Sequence, residues 1–220
     1  PSNFFAQLVS EKFDIPMRNL FIYPSGGVFY PSNLGVSDHH WSKGRITFGY
    51  VGSLSVAKGV QIISKCMNHI DFRCRLIVAG PGDYELINSF TNSNVELVCH
   101  GVLDREGTNK LYEEMDFLLF PTLLEESLGL TPIEAMAFGV PVVASKIGAV
   151  TEYIEHEKNG FLIEPGSSDD LTKTLMLIKN LTESEYASLS FEARNVAAKY
   201  DENKIVEEYR SVFQRECNVG

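Results

Sequence analysis

The chain has 220 residues, with 19 Lys+Arg against 29 Asp+Glu and a formal net charge of −10. Its 44% hydrophobic and 22% charged residues are ordinary for a soluble globular protein. The acidic balance excludes broad capture of nucleic acid or an anionic membrane, though not a local basic pocket; no apolar run approaches the roughly 18–20 residues that span a bilayer.

The first residues lack the basic region and apolar stretch of a signal peptide. Cys66, Cys74, Cys99 and Cys217 are scattered, without metal-ligand spacing, and read as reduced thiols of a cytosolic protein.

In chain order, a short β-type run at Leu20–Tyr23 precedes a polar stretch at Pro31–Arg45, rich in Pro, Ser and Gly. A stretch of about 15 such residues reads as a long loop or linker. Strands are then predicted at Ile46–Val51, Leu76–Ala79, Val95–Cys99, Phe117–Phe120 and Val140–Ala144. Most end at Gly or Pro and are apolar throughout, as suits strands buried on both faces of a parallel sheet. Helical patterns lie between them at Gly59–Asn68, Tyr84–Phe90, Asn109–Met115 and Pro132–Phe138. From Asp169 onward the pattern is helical throughout, over Asp170–Leu181, Glu183–Lys199 and Asp201–Arg215. The alternation predicts an α/β fold with a doubly wound, Rossmann-like parallel sheet and extra C-terminal helices.

The most informative stretch follows the Phe117–Phe120 strand. It reads Glu126-Ser-Leu-Gly129-Leu-Thr131-Pro-Ile-Glu134, after a loop and before a helix. Thr131, Pro132, Ile133 and Glu134 fit positions N-cap, N1, N2 and N3, with Glu134 closing a capping box. The amides of Gly129, Leu130 and Thr131 then crowd the positive end of a helix dipole, an anion site at the carboxyl end of a parallel strand. Taken alone, Glu134 is a plain helix cap and Glu126 a solvated loop acid. Together with the anion site they suit a ligand carrying phosphates and hydroxyls, because carboxylates accept hydrogen bonds from hydroxyls. A nucleotide sugar is such a ligand.

A second anion-binding candidate is Gly49-Tyr-Val-Gly52-Ser53-Leu-Ser-Val-Ala-Lys58-Gly59, where Lys58 stands at a helix start. It offers a mobile point charge suited to a diphosphate, or else is a plain surface lysine. Gly80-Pro-Gly82 has two glycines of a dinucleotide fingerprint, but Glu85 occupies the third position and repels a pyrophosphate. A tight strand-to-helix turn is the better reading. There is no Asp-x-Asp and no His cluster at ligand spacing, so no metal site is expected. His39, His40 and His156 read as surface residues, while His100 sits beside Gly101 at a strand end.

At these residues the sequence resembles the nucleotide-sugar-binding half of GT-B glycosyltransferases of the retaining family 4, the glycosyl transferases group 1 domain. The run Glu126 to Glu134 matches the family's Glu-x7-Glu motif and continues as Glu-Ala-Met-Ala-x-Gly-x-Pro-Val-Val-Ala-Ser. Gly52 to Gly59 resembles its Gly-Arg-Leu-x-x-x-Lys-Gly segment, and Pro24 to Phe29 its Pro-x-Gly-Val turn. The likeness runs from about Ser2 to Phe213.

The resemblance implies a donor-binding domain of a retaining, metal-independent hexosyltransferase working in polysaccharide biosynthesis. Glu126 and Lys58 would be catalytic. Lys58 would bind the donor diphosphate and stabilise the charge growing on it. Gly52, Ser53, Gly129, Leu130 and Thr131 would hold phosphates and sugar, Glu134 the ribose, Glu126 the donor sugar, and Gly101, Val102 and Leu103 the base. No cofactor is implied, the donor being a UDP- or GDP-linked sugar. Residues 1–45 are expected to lead into a donor domain at 46–220, with the acceptor-binding N-terminal domain missing and the isolated chain therefore inactive. The partners implied are the donor and, through the missing half, a glycan or lipid-linked acceptor; no nucleic acid is expected. The implied location is cytoplasmic, with peripheral attachment of the whole protein to the inner face of a membrane admitted.

Two positions depart from the family pattern. Ser53 replaces the usual Arg, removing one phosphate-binding charge, and Leu128 replaces the usual aromatic before Gly129. The first keeps a noncatalytic nucleotide-binding subunit in view; a GT-B nucleotide-sugar epimerase is the other alternative.

Overall fold

A computed structural model describes residues 2–19, 27–31, 41 and 45–217. Its centre is a six-stranded, all-parallel sheet of β1 (Ile46–Val51), β2 (Cys74–Ala79), β3 (Val95–Gly101), β4 (Phe117–Phe120), β5 (Val142–Ser145) and β6 (Gly160–Ile163), in the spatial order β3-β2-β1-β4-β5-β6. The α-helices among the described residues are α1 (Asn3–Phe13), α2 (Val60–Met67), α3 (Glu85–Asn88), α4 (Arg105–Glu113), α5 (Leu130–Ala137), α6 (Ser168–Ile178), α7 (Glu183–Ala197) and α8 (Glu202–Cys217). The strand order reverses between β1 and β4. In open α/β sheets the carboxyl ends of such a pair diverge into a crevice.

Side-chain alternation along each strand feeds two cores. Phe48, Tyr50, Leu76, Val78 and Phe117 pack on one face with α2 and α6. Ile77, Leu118, Phe120 and Val142 pack on the other with Leu111, Tyr112, Ile133 and Ala193. Four-residue β4 and β5 are buried at every position, as strands covered on both faces must be.

The predicted strands at Ile46–Val51 and Phe117–Phe120 stand as predicted, and β2, β3 and β5 differ only at their ends. The sequence pattern does not predict β6 or α1. β6 is Gly-Phe-Leu-Ile, too short to show alternation, and exists because it pairs with β5 from Val142↔Gly160 to Ser145↔Ile163. Helix α1 is held at its start by tertiary partners. Ser2 caps it and donates to the Ser127 carbonyl at 2.5 Å, and the Glu152 carboxylate accepts from the Asn3 amide at 3.1 Å. The run at Leu20–Tyr23, the turn residues Pro24 to Gly26, His39, His40 and most of Pro31–Arg45 lie outside the described residues. Among the described residues no helix is long and apolar enough to cross a membrane.

At the opposite edge from the crevice, Asp116 is only 7% exposed and its Oδ2 accepts the Thr47 amide proton at 2.7 Å. Burial pushes its carboxyl up to about 6, against the lowering effect of that bond. The folded state therefore binds the proton more tightly than the unfolded chain does. The stability this group contributes is complete below the ordinary carboxylate pKa and is lost as pH rises through about 6. Asp116→Asn keeps an acceptor for Thr47 and removes the charge. It is expected to raise stability at pH 7.5 by roughly 1–3 kcal/mol and to flatten the pH 4–7 dependence. Urea unfolding of both proteins across that range checks it; parallel pH curves would contradict it.

Candidate functional site

The site is built where β1 and β4 part. β1 leads into Gly52 and an exposed Ser53, whose carbonyl accepts the Tyr50 hydroxyl at 2.7 Å. Ser55 caps a short 3-10 turn, Val56–Lys58, by accepting the Lys58 amide at 3.3 Å. Gly59 ends that turn with φ +76° and begins α2. Its lack of a side chain is a packing requirement, because a Cβ there would lie 1.8 Å from the Pro121 carbonyl oxygen. The loop after β4 runs alongside, tied by the Leu123 amide to the Ala57 carbonyl at 2.9 Å. Lys58 is thereby fixed beside the loop that carries Glu126.

The Gly80 turn supports this arrangement from behind. A Cβ at Gly80 would lie 1.9 Å from the Gly52 carbonyl oxygen and one at Gly82 2.4 Å from that of Leu54. The Leu54 amide donates to Pro81 O at 2.7 Å and the Asp83 amide to Leu54 O at 3.0 Å. These glycines allow two strand-to-helix turns to zip together, in keeping with the tight-turn reading.

Lys58 Nζ lies 2.5 Å from Glu126 Oε1, with both side chains largely shielded, 28% and 18% exposed. Buried Thr122 donates its hydroxyl to the same oxygen at 3.3 Å. The Glu126 backbone is held as firmly: its carbonyl accepts the Ala149 amide at 3.0 Å, and Gly148 packs with no room for a Cβ, which would be 2.8 Å from Glu126 N. Burial, and then the Glu126 charge, raise the Tyr50 phenol above its ordinary pKa, so it remains a proton donor. Tyr153 is raised by burial, then by Tyr200 and Glu126, and its hydroxyl bridges Leu128 O at 2.9 Å and Gly129 O at 3.1 Å. Sequence reading gives no role to Tyr50, Thr122 or Tyr153, because what a hydroxyl faces is set by tertiary contacts.

Helix α5 starts two residues earlier than the capping-box template predicts. Gly129, at φ +75° and ψ +80°, is the N-cap, with no side-chain cap. Thr131, Pro132 and Glu134 therefore occupy N2, N3 and N5, and Glu134 closes no capping box. Pro132 still sits within the first turn, where its missing amide proton leaves no helical bond unmade. The expected consequence survives the correction, since Gly129, Leu130 and Thr131 carry amides without intrahelical acceptors at the positive helix end. Leu128, 3% exposed, fills the core beneath the loop.

Glu134 Oε2 accepts the Tyr112 hydroxyl at 3.0 Å. Both residues line a cavity of about 400 Å³ with Val28, Phe29, Val51 and Phe138. Gly101, Val102 and Leu103 lie at the carboxyl end of β3, on the same sheet edge as Gly52 but beyond β2. Val102 is 72% exposed there, and His100 is exposed within β3. The structure thus brings Lys58 and Glu126 together, with the Gly129–Thr131 segment further along the Glu126 loop, Glu134 one helical turn on and the β3 end along the same sheet edge. Among the described residues no group of three or more His, Cys, Asp or Glu is placed to hold a metal ion.

A cation, bare amides and acceptor carboxylates on one crevice edge can bind an anionic ligand rich in hydroxyls. A family model described as glycosyl transferases group 1 matches residues 45–180, more than half of the chain. The sulfoquinovosyl transferase SQD2 of Arabidopsis thaliana is 31% identical over 157 residues, 69% of this chain and 30% of that protein. The chain spans half or less of the length of the curated relatives it matches. Sucrose-phosphate synthase from Thermosynechococcus elongatus superposes with a TM-score of 0.81 at 19% identity, over 97% of this chain and 57% of that one. Anabaena HepE, solved in complex with UDP-glucose, superposes with a TM-score of 0.67 at 22% identity, over 78% of this chain and 49% of that one. The fold is that of one Rossmann-like half of a GT-B glycosyltransferase.

Proposed function

The chain belongs to the glycosyl transferases group 1 family, and from that premise we propose that it binds the donor of a retaining, metal-independent hexosyl transfer from a UDP- or GDP-linked sugar. The observation that carries the proposal is the pairing of Lys58 with Glu126 across the loops that leave the carboxyl ends of neighbouring β1 and β4, with the bare start of α5 three residues beyond Glu126 on the same loop. Lys58 exchanges its Glu126 partner for the donor diphosphate and stabilises the negative charge that grows there as the glycosidic bond breaks. Gly129, Leu130 and Thr131 donate to phosphate and sugar oxygens, with Gly52 and Ser53 at the facing turn. Glu126, released by Lys58, accepts from the donor sugar's hydroxyls. Glu134 accepts from the ribose, and Gly101, Val102 and Leu103 border the base. The UDP-glucose complex of HepE, a protein of like fold, supports a uridine donor.

The acceptor, a glycan or lipid-linked molecule, is met by another part of the whole protein, which works in the cytoplasm and docks peripherally at a membrane. Residues 46–220 form the donor domain in this reading, and the chain alone binds donor without transferring sugar. A noncatalytic nucleotide-binding subunit is the second reading, favoured by the exposed Ser53 where the pattern has Arg.

Calorimetric titration with UDP, GDP and ADP, first without metal and then with magnesium, tests the first reading. One nucleotide is expected to bind equally in both conditions. Glu134→Ala is expected to weaken it by roughly 10–100-fold, the loss of hydrogen bonds to a charged acceptor. Binding only with magnesium, or an unaffected Glu134→Ala variant, would contradict the proposal. Sugar transfer to an added acceptor by the chain alone would contradict the division of labour.

A further inference from the structure

Tyr112 lies on α4 with 1% exposure, its ring 5.6 Å from that of Phe138, among the apolar side chains of the second core. A tyrosine buried so deeply needs a partner for its hydroxyl. It has one: the hydroxyl donates to Glu134 Oε2 at 3.0 Å. Burial first, and then the charge of Glu134 and the hydrogen bond to it, raise the phenol well above its ordinary pKa, so it stays a donor. No described residue donates to the other carboxylate oxygen, and Glu134 lines the cavity of about 400 Å³. A partly buried glutamate otherwise spreads over several rotamers, and ligand binding would have to order it. A fixed donor at one oxygen sets the carboxylate plane before the ligand arrives.

We propose that Tyr112 is a positioning residue, whose buried hydroxyl holds one oxygen of Glu134 so that the other is presented to the ribose hydroxyls of a nucleotide. This rests on the reading of Glu134 as the ribose acceptor. With 1% exposure and its hydroxyl committed to Glu134, Tyr112 acts through that carboxylate. A filler of the core would affect all ligands alike, whereas a positioning residue affects only ligands that carry the hydroxyls.

The test is calorimetric titration of the chain with UDP, GDP and ADP and with their 2′,3′-dideoxy counterparts, using the base that binds tightest. The parent chain is expected to prefer the ribonucleotide, and Glu134→Gln to lose most of that preference. Tyr112→Phe is expected to shrink the preference on the order of tenfold while leaving the dideoxy nucleotide unchanged. Para-aminophenylalanine at position 112, which keeps a donor on the ring, is expected to restore it. Should the phenylalanine variant not fold, para-fluorophenylalanine fills the hydroxyl volume without donating and serves in its place. Equal weakening of both ligands by Tyr112→Phe would overturn the proposal, because that is what a structural role does. A preference kept in Tyr112→Phe but lost in Glu134→Gln would overturn it while leaving the Glu134 reading intact. A parent chain without any ribose preference would overturn both.

Discussion

A Lys58→Ala variant is expected to bind a nucleoside diphosphate about 100-fold more weakly than the parent chain. One charge-assisted contact to the phosphates is worth roughly 1.5–3 kcal/mol, or about 10–150-fold. The structure adds a second cost. Lys58 and Glu126 are paired at 2.5 Å in a mostly shielded setting, so removing the lysine leaves a carboxylate beside incoming phosphates. Repulsion between like charges at such range is not fully screened by salt. The Glu126→Gln change should therefore act in opposite directions on two ligands. It frees Lys58 and tightens the bare diphosphate several-fold, yet weakens the sugar-linked donor by removing an acceptor for sugar hydroxyls. In the double variant Glu126→Gln recovers part of the Lys58→Ala loss. Titration of all four proteins with nucleoside diphosphate closes this cycle, and strictly additive effects would contradict the coupling.

The largest effect on stability is expected at Gly59. Its φ of +76° costs an alanine roughly 1 kcal/mol or more, and the new Cβ would meet the Pro121 carbonyl oxygen at 1.8 Å. Backbone faces backbone at that contact, so no flexible side chain can yield. Gly59→Ala is expected to lose about 3–5 kcal/mol and to melt roughly 10 °C lower, or to fail to fold. Gly101 is the control. Its φ is +68° but nothing stands within 4 Å of a Cβ there, so Gly101→Ala should cost only about 1 kcal/mol. Thermal melts of the three proteins decide it. Equal losses at the two glycines would mean that conformation, rather than the close approach of the two turns, makes Gly59 necessary.

This contrast also shows what was legible in the sequence. Apolar strands ending at Gly or Pro gave β1 and β4 at their observed bounds, since burial on both faces leaves a continuous signal. The pairing that creates β6 is tertiary, and four residues carry no periodicity of their own. Lys58 and Glu126 were visible as charges near glycines, but their contact depends on Gly59 and Gly148 letting the turns close. The capping-box reading of Thr131 to Glu134 failed for a local reason. Gly129 takes a left-handed conformation, starts the helix earlier, and leaves Glu134 free to meet Tyr112. Tyr112 itself looked like any core aromatic, because sequence shows its ring but not what its hydroxyl faces.

The central claim is that the crevice between β1 and β4 is where a nucleotide binds. Amide chemical shifts of the 15N-labelled chain, followed as the preferred nucleoside diphosphate is added, test it most directly. The account predicts the largest shifts at Gly52 to Lys58 and at Gly129, Leu130 and Thr131, with smaller ones at Glu134 and the end of β3. Saturable binding with those amides unmoved, and shifts gathered elsewhere on the chain, would contradict it.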